Sequence, residues 1–258
     1  MIDEIKEHWN GISDSQWYRS LRSSEKIDAL FAEPERAFHP EVMRLIRTHT
    51  PVLKDMRVLL PSSRDNHAAF AFALMGAVVT SADISERQLE NAEKIAKERG
   101  LDIRFVCDDT MTLSNIGDDT YDLVYTSNGT LSWINDLESM YRNFARVLKK
   151  GGMLIQYDIH PFTRPFSCEA YKAPQIVKSY HDVLPHLHWR IQDLLNEQVR
   201  AGFMVTELAE LPAVDASFWY TYQELQTKTE QELKNINDPK ENPMAALPAW
   251  IAFVSKKQ

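Results

Sequence analysis

Short apolar runs alternate with helical patterns from about residue 57 onward. The first run, 58–61, precedes a helical pattern over 67–75, and a second run, 78–82, precedes a helical pattern that stops at Gly100. This alternation favours parallel strands joined by helices, because each helix can cover one face of a sheet while the chain returns to the same edge. The sequence therefore predicts an α/β fold with a mainly parallel sheet.

The remaining pattern completes this prediction. Further strand-like runs follow at 103–106, 122–126, 153–157, 203–208 and 250–254. Ser85 and Gln88 have the spacing of a capping box at a helix start, and Gly151-Gly152 is expected to end the helix after the fourth strand. We predict a polar helical cap over 1–55, and a domain over 56–258 with a lid-like insertion at about 158–188.

Charge and hydropathy limit the partners that we expect. The 258 residues contain 29 Lys and Arg against 37 Asp and Glu, a net charge of −8, and no basic run, so we expect no nucleic-acid partner. The longest apolar run, 68–79, is too short to cross a bilayer, and residues 1–9 lack the order of a signal peptide. We expect a cytoplasmic location and no membrane partner. The two cysteines have no metal-ligand spacing, and we predict no metal site.

Three segments resemble one family in both order and spacing. They are Ala82-Asp83-Ile84-Ser85, the run 121–124 with Ser127-Asn128-Gly129, and the run 145–152. Together they resemble the class I S-adenosylmethionine-dependent methyltransferases, in particular the small-molecule branch. The resemblance implies a Rossmann-like, seven-stranded, mainly parallel sheet with helices on both faces and an antiparallel last strand. It also implies S-adenosylmethionine as cofactor and a small, partly apolar methyl acceptor.

The resemblance also implies cofactor-binding residues at the ends of the strands. An open parallel sheet binds ligands beyond the carboxyl ends of its strands, and Asp83, which ends the second strand, could accept hydrogen bonds from both ribose hydroxyls. The alternative is that Asp83 is only a turn residue before the helix. By resemblance, Asp109 and Thr110 lie near the adenine, with Asp108 as a competitor. The other expected contacts are Pro61, Ser62, Ser63, Ile84, Ser127 and Asn128.

The first loop departs from the family pattern. Leu60 stands where the family has an acid, and Ser62, Arg64 and Asn66 stand where it has glycines. Glycines suit such a loop because its backbone turns tightly, and some positions can need a positive φ. If Arg64 points inward, it crowds the methionine part of the cofactor and repels its sulfonium charge. The alternative is an outward side chain, or one paired with Asp65 or with the cofactor carboxylate.

His160, which follows the fifth strand, is the residue predicted to act as catalytic base if the acceptor needs one. Tyr18, His181 and His186 are weaker candidates in segments expected to form a lid. Aromatic residues are predicted to surround an apolar acceptor: Trp17, Tyr18, Trp133, Phe162, Phe166, Tyr171, Trp219 and Tyr220.

Two other functions compete with methyl transfer. One is a catalytically impaired, methyltransferase-like binding protein, because the loop glycines are missing. The other is a nicotinamide-dependent oxidoreductase, which the missing Gly-x-Gly-x-x-Gly turn disfavours.

Overall fold

A central sheet organises the chain. The computed structural model describes residues 2–127, 129–184 and 187–258. Its strands are β1 (Arg57–Pro61), β2 (Val78–Asp83), β3 (Ile103–Cys107), β4 (Tyr121–Thr126), β5 (Leu148–Ile159), β6 (Phe203–Leu211) and β7 (Trp250–Lys257). Each of the predicted runs is a strand, and several strands are longer than predicted, β5, β6 and β7 most of all.

The order of the strands is β3-β2-β1-β4-β5-β7-β6. Strands β1 to β5 pair in parallel, whereas β7 runs antiparallel to both β5 and β6. The predicted fold class, a Rossmann-like and mainly parallel sheet with an antiparallel last strand, is confirmed. The order reverses between β1 and β4, so a crevice opens beyond the carboxyl ends of these strands, where such sheets bind ligands.

Helices cover both faces of the sheet. They are α1 (Ile2–Ile12), α2 (Gln16–Leu21), α3 (Ser24–Ala32), α4 (Pro40–His49), α5 (His67–Leu74), α6 (Glu86–Arg99), α7 (Leu137–Val147), α8 (Ile191–Arg200), α9 (Tyr222–Leu225) and α10 (Glu230–Asn235). Apolar residues of α3 to α6 pack on one face, and those of α7 and α8 on the other. The predicted stripe on α7, from Leu137 to Val147, is buried because its spacing returns to one side of the helix at each turn.

One local prediction was wrong, and a second was confirmed only in part. Helix α7 ends at Val147 and β5 begins at Leu148, so Gly151 and Gly152 lie within the strand rather than at the helix end. A Cβ on Gly152 would lie 2.9 Å from a backbone oxygen, which accounts for the second glycine there. The capping box at α6 is half formed. Ser85 Oγ accepts from Gln88 N at 3.1 Å, but the Gln88 side chain accepts from Arg22 instead of reaching back.

The helices before β1 share the core of the sheet. Ile27 and Leu30 of α3, with Leu45 and Ile46 of α4, are buried in the same cluster as β1 and β2. A division of the chain near residue 55, with an insertion at 158–188, is therefore kept as a proposal about its organisation. Within the ranges described, no helix combines the length and apolar character needed to cross a membrane.

Candidate active site

The loop from β1 to α5 adopts the backbone that glycines would favour. Ser62, Arg64 and Asn66 have φ values of 53°, 49° and 64°, all in the left-handed region. These are the three positions where the family has glycines, and a left-handed conformation costs a non-glycine residue about 1–2 kcal/mol. Polar contacts hold the loop in this shape, because Ser81 Oγ contacts Ser63 Oγ and Asn66 Oδ1, and Asn66 Nδ2 donates to Arg64 O.

Asp83 ends β2 beside this loop and is buried. Its Oδ1 accepts from Ser85 N at 2.9 Å and its Oδ2 accepts from Arg64 N at 3.0 Å. Burial raises the pKa of Asp83 to about 6, against the lowering effect of these backbone donors. Asp83 thus stabilises both the loop after β1 and the turn before α6, which agrees with the alternative that Asp83 is a turn residue. Each carboxylate oxygen has a second lone pair, so the predicted ribose contact is compatible with these bonds.

Asp108 and Asp109, adjacent in sequence, have different surroundings. Asp108 accepts from Asp109 N, Ser114 N and Asn115 N, so its carboxylate is used within the turn. Asp109 Oδ1 accepts from Met111 N, whereas its Oδ2 is buried and has no hydrogen-bond partner in the described part of the chain. Burial raises the pKa of Asp109. The free acceptor is therefore on Asp109.

A small cavity of about 50 Å³ brings several predicted residues together. The predicted residues in its lining are Ser62, Asp83, Ile84, Asp109 and Thr110. Ser62 Oγ and Thr110 Oγ1 lie 2.7 Å apart within it. Pro61, Ser63 and Ser127 lie close by in the chain but outside the lining, and Asn128 falls outside the described residues.

Helix α1, within the predicted helical cap over 1–55, covers the small cavity, although no residue of this helix was predicted to line the site. Ile2, Ile5 and Trp9 contribute to the lining, and the Trp9 ring packs edge-on against Trp133 at 5.3 Å. Asn10 Oδ1 accepts from Ser85 Oγ at 2.7 Å, which joins α1 to the start of α6. No residue of α1 is fully buried. The helix lies over the crevice instead of inside the core.

A large cavity of about 730 Å³ lies beside the small one. Among the aromatic residues predicted to surround an acceptor, its lining contains Trp17, Phe166, Tyr171 and Trp219. Trp133 lines the small cavity instead, Tyr18 is buried, Phe162 is exposed, and Tyr220 lines neither of the two. Further aromatic lining was not predicted: Phe38, His39, Tyr157, Phe218 and Trp250.

Arg64 lies between the two cavities and lines both. Its side chain hydrogen-bonds Tyr18, and a Cβ on Gly129 would lie 3.8 Å from its Nη1. Burial lowers the pKa of Arg64, but Asp65, Tyr18 and Asp158 raise it, and the net shift is upward. The side chain points inward rather than outward, while the nearby Asp65 carboxylate acts on its charge, as the pairing alternative expects.

Asp158, near the end of β5, fixes the loop after β4. Its Oδ1 accepts from Gly129 N at 2.9 Å and its Oδ2 accepts from Leu131 N at 2.8 Å. The carboxylate is buried, which raises its pKa. The sequence could not predict this role of Asp158, because its partners lie 27 and 29 positions earlier in the chain.

His160 is buried and has contacts at both ring nitrogens. Nε2 lies 2.9 Å from Glu210 Oε1, and Nδ1 accepts from Phe162 N at 3.1 Å. Burial lowers its pKa, against the opposing effect of Glu210. It lines neither cavity, so its predicted catalytic role has no geometric support and stays a prediction. His181 lies in an exposed turn, and His186 is outside the described residues.

Comparisons with known proteins agree with this arrangement. A family model described as a methyltransferase domain matches residues 65–156, which begins just after the altered positions 62 and 64. A Bacillus subtilis (strain 168) protein named "uncharacterized methyltransferase YbaJ" is 25% identical in an alignment of 182 residues that covers 62% of this chain and 70% of that protein.

Solved structures show the same fold. An S-adenosylmethionine-dependent methyltransferase from Mesorhizobium loti has a TM-score of 0.60 at 18% identity, covering 83% of this chain and 96% of that one. The 4+2 cyclase SpnF has a TM-score of 0.57 at 20% identity, covering 84% and 80%. Residues 65–156 thus match a methyltransferase domain, and the chain has the fold of S-adenosylmethionine-dependent methyltransferases. With the strand order, these findings support the predicted resemblance to the class I S-adenosylmethionine-dependent methyltransferase superfamily.

Proposed function

We propose that this chain transfers a methyl group from S-adenosylmethionine to a small molecule held in the large cavity. The observation that carries the proposal is the junction of two cavities at the crevice between β1 and β4. One cavity contains carboxylates suited to a nucleoside, and the other is large and aromatic. The match of residues 65–156 to a methyltransferase domain supports the same reaction.

The nucleoside end fits the cofactor chemically. Asp109 Oδ2 is a buried acceptor without a partner in the described residues, and an adenine amino group would supply the missing donor. Asp83 would accept from the ribose hydroxyls, beside Ile84 and Thr110. When bound, S-adenosylmethionine would supply an electrophilic methyl group to a nucleophilic atom of the acceptor.

The chain must rearrange to admit such a ligand. The small cavity, at about 50 Å³, is well below the roughly 300 Å³ at which small-molecule sites begin. Helix α1 closes it from outside and Arg64 closes it toward the large cavity. Since α1 has no fully buried residue, moving it exposes little core.

Methyl transfer requires mainly that the cofactor and the acceptor are held in the right positions. Holding two reactants in line supplies much of the rate enhancement, so the chain needs no nucleophile. An acceptor that loses a proton also needs a base, and His160 stays a prediction for that role. The acceptor cavity would exclude water through its aromatic walls.

A binding protein without methyl transfer is the second candidate. The inward Arg64 favours it, because a cation stands where the positively charged end of the cofactor would pass. One structural neighbour is named a cyclase, so this fold alone does not specify the reaction.

Titration calorimetry with adenosine and S-adenosylmethionine tests the proposal. We expect the native chain to bind both, and Asp109→Ala to weaken both. Asp102→Ala is a matched control, because exposed Asp102 precedes β3 whereas Asp109 follows it. If neither ligand binds the native chain or Arg64→Gly, the proposed function is wrong. If both bind but no acceptor mixture is methylated, the binding protein is the better conclusion.

A further inference from the structure

Arg164 lines the large cavity, and its guanidinium has no ion-pair partner among the described residues. It follows the short turn 161–163, and its half-buried side chain lines the cavity wall. Throughout the described ranges, no hydrogen bond or ion pair joins its guanidinium to another group. Burial lowers the pKa of Arg164, opposed by the carboxylate of Asp158.

Other partly buried arginines of the chain have partners. Arg22 donates to Ser13 O and Asp14, and Arg146 donates to several backbone carbonyls and to Asp118. Moving a charge out of water is costly unless a partner compensates for the lost hydration. Arg164 therefore differs from these residues, and the difference calls for a partner from outside the chain.

Asp158 does not fill that role. Its two oxygens already accept from the backbone N–H groups of Gly129, Leu131 and Ile159. It lowers the cost of the Arg164 charge through space, without a hydrogen bond between them. The donor groups of Arg164 therefore have no hydrogen-bond partner within the described residues, and the residue lines the large cavity.

Most of the charged residues in the lining have the same sign as Arg164. Arg64, Arg164 and Arg36, which also pairs with Glu33, line the large cavity, against one carboxylate, Asp215, which caps the turn at Ser217. This excess of positive charge occurs in a chain with a net charge of −8. A concave site with an excess of one sign of charge attracts ligands of the opposite sign.

We propose that the large cavity binds an acceptor that carries a carboxylate or phosphate on an aromatic or apolar body, with Arg164 binding the anionic group. This inference rests on the proposed function, because it names the class of the acceptor. A guanidinium binds such anions through two parallel hydrogen bonds, which fixes orientation as well as charge.

The aromatic wall suits the body of such a molecule. Phe218 packs edge-on against both Trp219 and Trp250 at 4.7 Å, and Trp219 Nε1 donates to Asn237 Oδ1. These contacts hold the rings in place before a ligand arrives. The cavity, at about 730 Å³, lies within the roughly 300–1,000 Å³ range of small-molecule sites.

The test compares three probes of similar shape: 3-phenylpropionate, phenyl phosphate and the uncharged 3-phenylpropanamide. Tryptophan fluorescence and calorimetry report binding, since Trp17, Trp219 and Trp250 line the cavity. We expect at least one of the two anions to bind about tenfold more tightly than the amide, or about 1.4 kcal/mol. Arg164→Gln should remove the preference, and Arg164→Lys should keep part of it.

Arg142→Gln is the matched control, because Arg142 is exposed on α7 and pairs with Glu138. Equal binding of the anions and the amide, an unchanged preference in Arg164→Gln, or failure of both anions to bind would each overturn the proposal. Thermal unfolding and adenosine binding of Arg164→Gln establish that the variant is folded. Anion binding without adenosine or S-adenosylmethionine binding would overturn the proposed function and leave the anion site.

Discussion

The backbone N–H of Arg64 donates a 3.0 Å hydrogen bond to Oδ2 of Asp83. The bond links the middle of the first loop to the carboxylate at the end of β2. It holds Arg64 in its left-handed conformation while the side chain of the same residue lies between the cavities. The loop and the carboxylate are therefore coupled, and a ligand that binds Asp83 also lies close to Arg64.

Arg64→Gly should tighten binding of S-adenosylhomocysteine by at least about tenfold, or about 1.4 kcal/mol. The glycine removes the side chain from the passage and relieves the left-handed strain. Adenosine, which has no methionine part, should bind the native chain and Arg64→Gly with similar affinity. Calorimetry measures both. Equal gains for both ligands would instead indicate a general loosening of the loop.

Asp109→Ala should weaken adenosine binding by about tenfold, because it removes a buried acceptor expected to contact the amino group. Inosine, which has a carbonyl in place of that amino group, should bind the native chain weakly and lose little in the variant. Calorimetry with both nucleosides checks this, with Asp102→Ala as control. An equal loss for inosine would argue against the contact.

Binding of S-adenosylmethionine should weaken as pH falls through about 6. The pKa of Asp83 is raised to about 6, so its carboxylate becomes protonated in this window and loses acceptor strength toward the ribose. The Asp83→Asn variant should bind S-adenosylmethionine more weakly than the native chain at pH 8, and its affinity should not change as pH falls through 6. A native affinity that stays constant from pH 8 to pH 5 would contradict the contact.

Stability should change with pH in the opposite direction. The folded pKa of Asp83 lies above its unfolded value, so the folded chain binds more protons between about pH 4 and 6. This group's contribution is complete below about pH 4 and is lost as pH rises through 6, by on the order of 2–3 kcal/mol. Urea unfolding of the native chain and Asp83→Asn checks this. Their difference should change across that window, and a constant difference would contradict the raised pKa.

Asn10→Ala should loosen α1 from the crevice, because Asn10 Oδ1 accepts from Ser85 Oγ and Arg87 N. We expect adenosine to associate and dissociate several-fold faster, with a smaller change in affinity, since the cover opens more often. Stopped-flow fluorescence of Trp9 and Trp133 gives both rates. Glu7→Ala, exposed on the same helix, is the control, and rates unchanged in Asn10→Ala would argue against α1 as the cover.

Much of the fold was predictable because its signals are local. Apolar runs, the Ser85 cap and the Gly100 stop each act within one turn or strand, and the structure has elements at each of them. The errors in the predicted helix and strand ends also arose because only neighbouring residues were considered. Gly151-Gly152 looks like a helix stop, but pairing of Tyr121 with Leu148 draws the preceding residues into β5.

The candidate site was predictable only in part. Its position at the strand ends follows from the sequence, and Ser62, Asp83, Ile84, Asp109 and Thr110 do line one cavity. His160 lines neither cavity. Its two ring nitrogens already contact Glu210, fifty positions away, and the backbone N–H of Phe162 in the following turn. The choice between Asp108 and Asp109 likewise depended on which backbone N–H groups each carboxylate meets.

The sequence by itself determined the succession of strands and helices along the chain, the loops that meet at the crevice, and the three loop positions where the family has glycines. The tertiary structure alone decided that Arg64 points inward, that residues of α1 line the small cavity, and that Arg164 lines the large one with no hydrogen-bond partner among the described residues. The reason is physical. Strand and helix formation depends on neighbours in the chain, whereas the direction and pairing of a side chain depend on groups brought together from distant segments.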